Sequence, residues 1–287
     1  MPAEPLIFRD AEKARNTITL QQRRDIKRLY AEWAAGIGIL AAFYPISNSN
    51  ENVSEWQFRD FIKNVFSAGE HVPVAVEGIV TKNMLTMSEA VFSANTKWLT
   101  SLGLDNTALS ASTSSIPNDV VQRLITGQYY EQDWSLSKSI WGDNAETHKQ
   151  ILEIVEGGRV QGKSIYEISK DIERYVNPDK VRPWNLRDQT GRKIYPRDVE
   201  YNSQRLARTL VQHSYQQSFI EATKDNDLIE DYIWIANGPR VCPICIDRDG
   251  KHYKKDELPL DHPNGMCVFV PNLVKDWKQQ IADMLHT

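Results

Sequence analysis

The chain has 287 residues, of which 41% are apolar and 25% charged, a composition that excludes a disordered protein and allows one large domain or two modest ones. A formal charge of −4 carries no overall signature of a nucleic-acid binder. The segment from Arg159 to Arg208 nevertheless holds 12 Lys and Arg against 7 Asp and Glu, which reads either as a solvated surface or as a face turned to DNA.

The N-terminus lacks the cationic-then-apolar pattern of a secretion signal. Ile26, Leu29, Trp33, Ile37 and Leu40 recur at steps of three and four, which predicts a helix stopped by Pro45. The apolar stretch from Trp33 to Tyr44 is well short of the about twenty residues that cross a bilayer and reads as the buried face of this helix, so no membrane partner is expected. Ser47 to Asn52 is a loop by composition. Ser54 can cap a second helix whose Phe58, Phe61, Ile62 and Val65 share a face and which Gly69 ends. A third helix is predicted over 74–102, with Met84, Leu85, Val91, Trp98 and Leu99 as core. From Gly103 to Pro117 the residues turn small and polar, which marks a boundary between a helical N-terminal region, 1–115, and a second domain, 116–287.

Beyond that boundary a short helix is predicted around 120–125 and another over 144–155, ending at Gly157-Gly158. Ser164 and Glu167 form a capping box for a helix lined by Ile165, Ile168, Ile172 and Val176 and closed by Asn177-Pro178. The stretch 180–197, with two prolines and Thr190-Gly191, reads as an excursion or hairpin. A long helix over 198–223 follows, with Leu206, Leu210 and Ser214 on one side. Asp231 to Ala236 is β-branched and aromatic and predicts a strand, with Cys267 to Val270 as its partner, stopped by Pro271. The expected class is α+β, mostly helical, ending in a small β region.

All three cysteines fall in that region: Cys242-Pro243-Ile244-Cys245, then His262, then Cys267. Two thiols two residues apart can reach one ion from a tight knuckle, and a His-x4-Cys pair can close a tetrahedral site of three thiolates and one imidazole, of the kind structural zinc prefers. Such a site has no open position for water. His252 is a competing fourth ligand. The cysteines could instead be a redox pair, but that use places CxxC at the start of a helix in a βαβ unit, whereas these flanks read as strand, knuckle and turn. They could form one disulfide with a thiol left over, or be small buried hydrophobes. A metal-spaced cysteine set suits a reducing compartment such as a cytoplasm.

His71, His148 and His213 are isolated and read as surface or helix-face residues, and His286 as incidental. No nucleophile-and-base arrangement, phosphate-cradling glycine loop or HExxH occurs, so no enzyme is expected.

The ordered set Leu206-Ala207-Arg208-Thr209, the Trp234 strand, Arg240-Val241-Cys242-Pro243-Ile244-Cys245, Asp249-Gly250 with Tyr253, and His262-Pro263-Asn264-Gly265-Met266-Cys267 resembles the minor head protein, or head morphogenesis, family of tailed bacteriophages. The resemblance covers about half the chain, from Leu136 to Pro271. Family members usually end in HPNCRC, so Gly265 stands where a cysteine is usual and Met266 replaces the arginine. The resemblance implies a non-catalytic virion protein inside the head near the portal vertex, made in the host cytoplasm. Its implied role is in head assembly, DNA packaging or retention, and ejection. Implied partners are the portal, with scaffold or major capsid protein as further candidates; if the basic stretch 159–208 faces DNA, non-specific contact with packaged DNA is the expected use of it.

The strongest rival is a zinc-containing endonuclease of the HNH or endonuclease VII type, in which a His beside a catalytic metal acts as base. Asp261-His262 after a CxxC fits that pattern, but the second CxxC is missing and 272–287 is short for a catalytic helix. A cellular zinc-ribbon adaptor would explain the cysteines but not the Leu206–Thr209 helix.

Overall fold

A computed structural model of the chain describes residues 6–44, 54–104, 116–130, 133–177, 199–238 and 241–285. The expected loop at 47–52, most of the small-residue linker, the 180–197 excursion and His286 lie outside these residues. The elements run α1 (Leu6–Ala41), α2 (Glu55–Gly69), α3 (His71–Ser101), α4 (Ile116–Thr126), α5 (Leu136–Val160), α6 (Ile165–Val176), α7 (Val199–Thr223), β1 (Ile229–Ile235), α8 (Pro243–Arg248), β2 (His252–Tyr253), β3 (Val268–Leu273) and α9 (Trp277–Leu285). The chain is thus mostly helical with one small antiparallel sheet at its C-terminal end, as its patterning predicts.

Contacts group the residues into two compact units, each drawn from both sides of position 115. One unit takes 23–79 and 136–205, the other 1–22, 80–135 and 206–287.

In the first unit, α2 opens on a capping box: Ser54 Oγ accepts from the Gln57 amide while Gln57 Oε1 accepts from the Ser54 amide. The same device opens α6 through Ser164 and Glu167, and burial of Ile165, Ile168, Ile172 and Val176 follows the expected period. Ile26, Leu29, Trp33 and Ile37 of α1 are buried as expected, and Trp33 Nε1 donates to the Val65 carbonyl at 3.2 Å. Gly69 ends α2 against the Trp33 ring, where a Cβ would lie 2.5 Å from ring carbons. Helix α5 corrects one expectation, since it runs through Gly157-Gly158 to Val160. Gly158 is needed for packing rather than termination, because a Cβ there would come 2.5 Å from Ile168 Cγ1. The chain instead reverses at Gly162, whose φ of 73° is left-handed, as a terminating glycine requires.

In the second unit, α3 and α7 meet through small polar side chains. Ser218 Oγ donates to Ser88 Oγ at 2.7 Å, Ser214 Oγ to the Met84 carbonyl at 2.7 Å and Asn95 Nδ2 to the Ala222 carbonyl at 3.0 Å. Each of these buried donors thereby keeps a partner. The sheet order is β2-β1-β3, all antiparallel, with Tyr232 opposite Tyr253 and Trp234 opposite Phe269. Strand β3 does not stop at Pro271 but continues to Leu273, because it is an edge strand where a missing N–H is tolerated. Met87, Val91 and Trp98 of α3, Val211, Tyr215 and Phe219 of α7, and Tyr232, Trp234 and Phe269 of the sheet share one core with Cys245 and Cys267. Burying each of the large side chains contributes about 1.5–3 kcal/mol, so the cysteine region is held on a rigid floor.

Candidate metal centre

The CxxC does not form the strand, knuckle and turn that its flanks suggest. Cys242 is the N-cap of the short helix α8, Pro243 takes its first position, and the Cys242 sulfur accepts from the Cys245 amide at 3.4 Å. The motif therefore does open a helix, which removes one ground for setting a redox pair aside. The unit around it remains unlike a βαβ unit, because β1 and β2 on either side of α8 are antiparallel.

The Asp249-Gly250 turn anchors α8 to β1: Asp249 Oδ1 accepts from the Ala236 amide at 2.8 Å, and the Gly250 amide donates to the Trp234 carbonyl at 2.8 Å. Gly250 has a φ of 74°, so the turn needs glycine. Tyr253 meets the Trp234 ring edge-on at 6.2 Å.

The second arm is the turn from Asp261 to Cys267. The Gly265 amide donates to the His262 carbonyl at 2.8 Å, and Asn264 takes a left-handed φ of 65°, which its short polar side chain tolerates. Thr209 of α7 accepts from the Asn264 amide at 3.0 Å. Gly265 is not among the glycines with left-handed backbone; a Cβ on it would instead overlap the Asp261 carboxylate.

The structure brings the four expected ligands together as two triads that share Cys245: Cys242, Cys245 and His262, and Cys245, Cys267 and Asp261, with ligand atoms in each triad within 4.8 Å of one another. Tetrahedral zinc, with bonds of about 2.3 Å to sulfur and 2.0–2.1 Å to nitrogen, separates its donors by about 3.5–3.8 Å. Cys242 Sγ and His262 Nε2 are already 3.3 Å apart. His262 Nδ1 lies 2.9 Å from the Pro263 carbonyl, which can only accept, so Nδ1 carries a proton and Nε2 is the nitrogen that faces Cys242. All three thiols are free, with no disulfide. His252, the competing ligand, lies on β2 with Nδ1 2.9 Å from Asp231 and belongs to neither triad.

Asp261 is the residue that the motif reading underrated. It is 3% exposed, and its carboxylate accepts from the His262 amide at 2.8 Å, the Cys267 amide at 3.2 Å and Gln212 Nε2 at 2.9 Å. With both oxygens so engaged, it orients the turn, and Cys267 is the freer donor. Around it lie other buried polar groups that sequence spacing missed. Gln212 Nε2 also donates to the Cys267 carbonyl at 2.7 Å, Gln216 Oε1 accepts from the Asp261 amide at 2.9 Å, and Arg15 Nη1 donates to the Cys267 carbonyl at 3.1 Å. Gln212 and Gln216 stand one turn apart on α7, the only signal in the sequence that could have found them. His213 is not a surface residue: it is 3% exposed, its Nε2 donates to the Asp261 carbonyl at 2.9 Å, and its Nδ1 accepts from the Tyr130 hydroxyl at 2.8 Å.

The electrostatics favour a cation. Burial opposes ionisation of Cys242, but the amides of Cys245 and Ile244 and the nearby His262 outweigh it and draw its thiol below the ordinary value. Burial pushes Cys245 far up, with its sulfur neighbours and the Asp261 charge acting the same way. Burial and then Asp261 also raise Cys267, against the Asn237 amide and the Trp234 indole. The Trp234 N–H is fully buried and has no partner of its own, so a Cys267 thiolate would give it one. Two buried thiols crowded together beside a carboxylate resist becoming thiolates, and a bound cation reverses that balance. The residues present fit a metal ion.

Elsewhere, the described part of the 159–208 segment offers little free positive charge. Arg159 pairs with Glu156, Lys163 and Arg174 with Asp171, and Lys170 with Glu173. A concavity of about 200 Å³ beside α5, lined by Asp143, Glu146, Thr147, Gln150, Tyr175, Val199 and Asn202, is acidic and unsuited to phosphate. Among the described residues no helix is long and apolar enough to cross a membrane. Comparison of the chain with protein-family models, with curated proteins and with solved structures finds no match.

Proposed function

We propose that the protein is a non-enzymatic structural protein braced by one zinc ion on Cys242, Cys245, His262 and Cys267, and that it serves as a minor head protein of a tailed phage, beside the portal. The observation that carries the reading is that the separate pieces of the resemblance interlock. Thr209 of the Leu206–Thr209 helix bonds the His-Pro-Asn turn, the Asp249-Gly250 turn bonds the Trp234 strand, and both ligand arms close on Cys245. A bound zinc would supply a cross-link between the end of β1 and the turn leading into β3. His262 would hold it through Nε2, the three sulfurs would fill the other positions, and none would be left for a reacting water. In a nuclease His262 would have to accept a proton, yet here one nitrogen serves Pro263 and the other faces Cys242. Helix α9, which follows the sheet, also carries no histidine.

The test is metal analysis of the chain purified without chelator, together with incubation of supercoiled DNA with magnesium or manganese. One zinc per chain and intact DNA are expected; metal-dependent cleavage would overturn the reading. Mass spectrometry of purified virions tests the location, with this chain expected at few copies beside the portal and its absence refuting the assignment.

A further inference from the structure

Helix α1 reaches both arms of the metal centre from one face. Glu12 and Arg15 stand three residues apart on it, and both belong to the same compact unit as the centre. Glu12 accepts from Asn237 Nδ2 at 2.5 Å, and Asn237 opens the segment leading into Cys242, with its own amide directed to the Cys267 sulfur. Arg15 takes hold of the other arm: Nη1 donates to the Cys267 carbonyl at 3.1 Å and to Gln212 Oε1 at 2.9 Å, and Gln212 in turn donates to Asp261 at 2.9 Å. Ala11 and Ile18 of the same helix lie in the core that contains Cys245 and Cys267.

The Arg15 side chain is out of place by ordinary rules. A guanidinium that is 2% exposed needs a full set of acceptors and a nearby counter-charge. Arg15 has neither in full: Nε and Nη2 make no hydrogen bond, Glu12 lies 3.7 Å from Nη2, and the group rests over the Tyr215 ring at 5.2 Å. Three thiolates and one imidazole around a divalent zinc carry a net charge of −1, and Asp261 adds another. A buried cation behind the Cys267 carbonyl is the complement such a centre lacks.

We propose that Arg15 is a positioning residue of the metal centre, so that zinc loading and docking of residues 9–22 of α1 stabilise each other. The inference rests on the zinc reading above. Coupling of this kind is reciprocal: whatever α1 contributes to holding the metal, the metal contributes to holding α1. In this way the protein would sense through its first helix whether its C-terminal brace is filled.

The experiment uses the full chain. Amide hydrogen exchange is compared in zinc-loaded and chelator-stripped protein, and zinc affinity is measured by competition with a chromogenic chelator for wild type, Arg15→Gln and Arg15→Lys. Stripping is expected to raise exchange in residues 9–22 as well as in 242–267. Arg15→Gln should weaken zinc binding by about 10–100-fold, the size usual for an outer-shell partner. Arg15→Lys should restore part of that loss, and the thiolate-to-metal absorption of the cobalt-loaded chain should shift in the Gln variant. Unchanged exchange over 9–22 while 242–267 opens refutes the coupling even if Arg15→Gln does not fold, because that comparison needs only wild type. Wild-type zinc affinity in Arg15→Gln refutes it too. A wild-type chain that binds no zinc overturns the zinc reading itself, and this inference with it.

Discussion

Replacing Gly265 with alanine isolates one steric contact at the heart of the site. The backbone there is not left-handed, so alanine meets no conformational penalty, only the Asp261 carboxylate. Asp261 is buried and cannot step aside freely, because it accepts from the amides of His262 and Cys267 and from Gln212. A hydrogen bond to a charged group is worth about 1.5–3 kcal/mol, so losing two of these three costs about 3–6 kcal/mol. That is a large fraction of the about 5–15 kcal/mol that holds a typical domain together. Urea unfolding measures the loss. Gly142→Ala, on α5 with nothing within 4 Å of its Cβ, is the control and should be neutral or stabilising by up to about 1 kcal/mol. The decisive comparison is a cycle with Asp261→Ala. That change is itself destabilising, but once the carboxylate is gone, Gly265→Ala should add less than about 1 kcal/mol. If Gly265→Ala stays within about 0.5 kcal/mol of wild type, or costs as much with Asp261 absent, the collision is not what keeps glycine there. The same contact leaves no room at position 265 for any side chain, cysteine included, while Asp261 keeps its place.

Three further outcomes are expected. A strong zinc chelator should lower the thermal midpoint of the wild type and leave that of Cys245→Ser, already lacking the shared ligand, unchanged; free zinc at about 1,000 times Kd contributes about 4 kcal/mol. Burial lowers the His213 pKa below its ordinary 6.5, so the unfolded chain takes up this proton first as pH falls. The stability lost below about pH 6.5 should therefore shrink in His213→Gln, as read by urea unfolding of both proteins between pH 7.5 and 5.5; equal slopes would contradict the assignment. Ser164→Ala removes the side chain at the centre of the α6 capping box and should cost about 1 kcal/mol by the same measurement, whereas an unchanged midpoint would mean the box contributes nothing.

Much of this protein is written in local patterns. The period of Ile165, Ile168, Ile172 and Val176 and the pair Ser164 and Glu167 are enough to define α6, because capping and one-faced burial act within a few residues. The spacing of Cys242, Cys245, His262 and Cys267 likewise announces a cluster, because a chain reversal between two short arms leaves few other ways to arrange them. Local rules failed where a distant neighbour decided. Gly157-Gly158 looks like a helix end but is a packing gap for Ile168, and Pro271 looks like a strand end but lies on an edge. His213 reads as a surface or helix-face residue, yet its face of α7, with Gln212 beside it, is covered by the turn 261–267.

The helical class, the position of the β region and the clustering of the three cysteines with His262 are legible in the sequence, since each depends on residues near one another in the chain. How that cluster is held follows from the packing of distant segments. Asp261 bridging its own turn to α7, Arg15 reaching Cys267 from 252 residues away, and a glycine at 265 that yields to a carboxylate are products of long-range packing. Burial of a polar side chain depends on what the rest of the fold lays over it, and a local pattern carries no record of that.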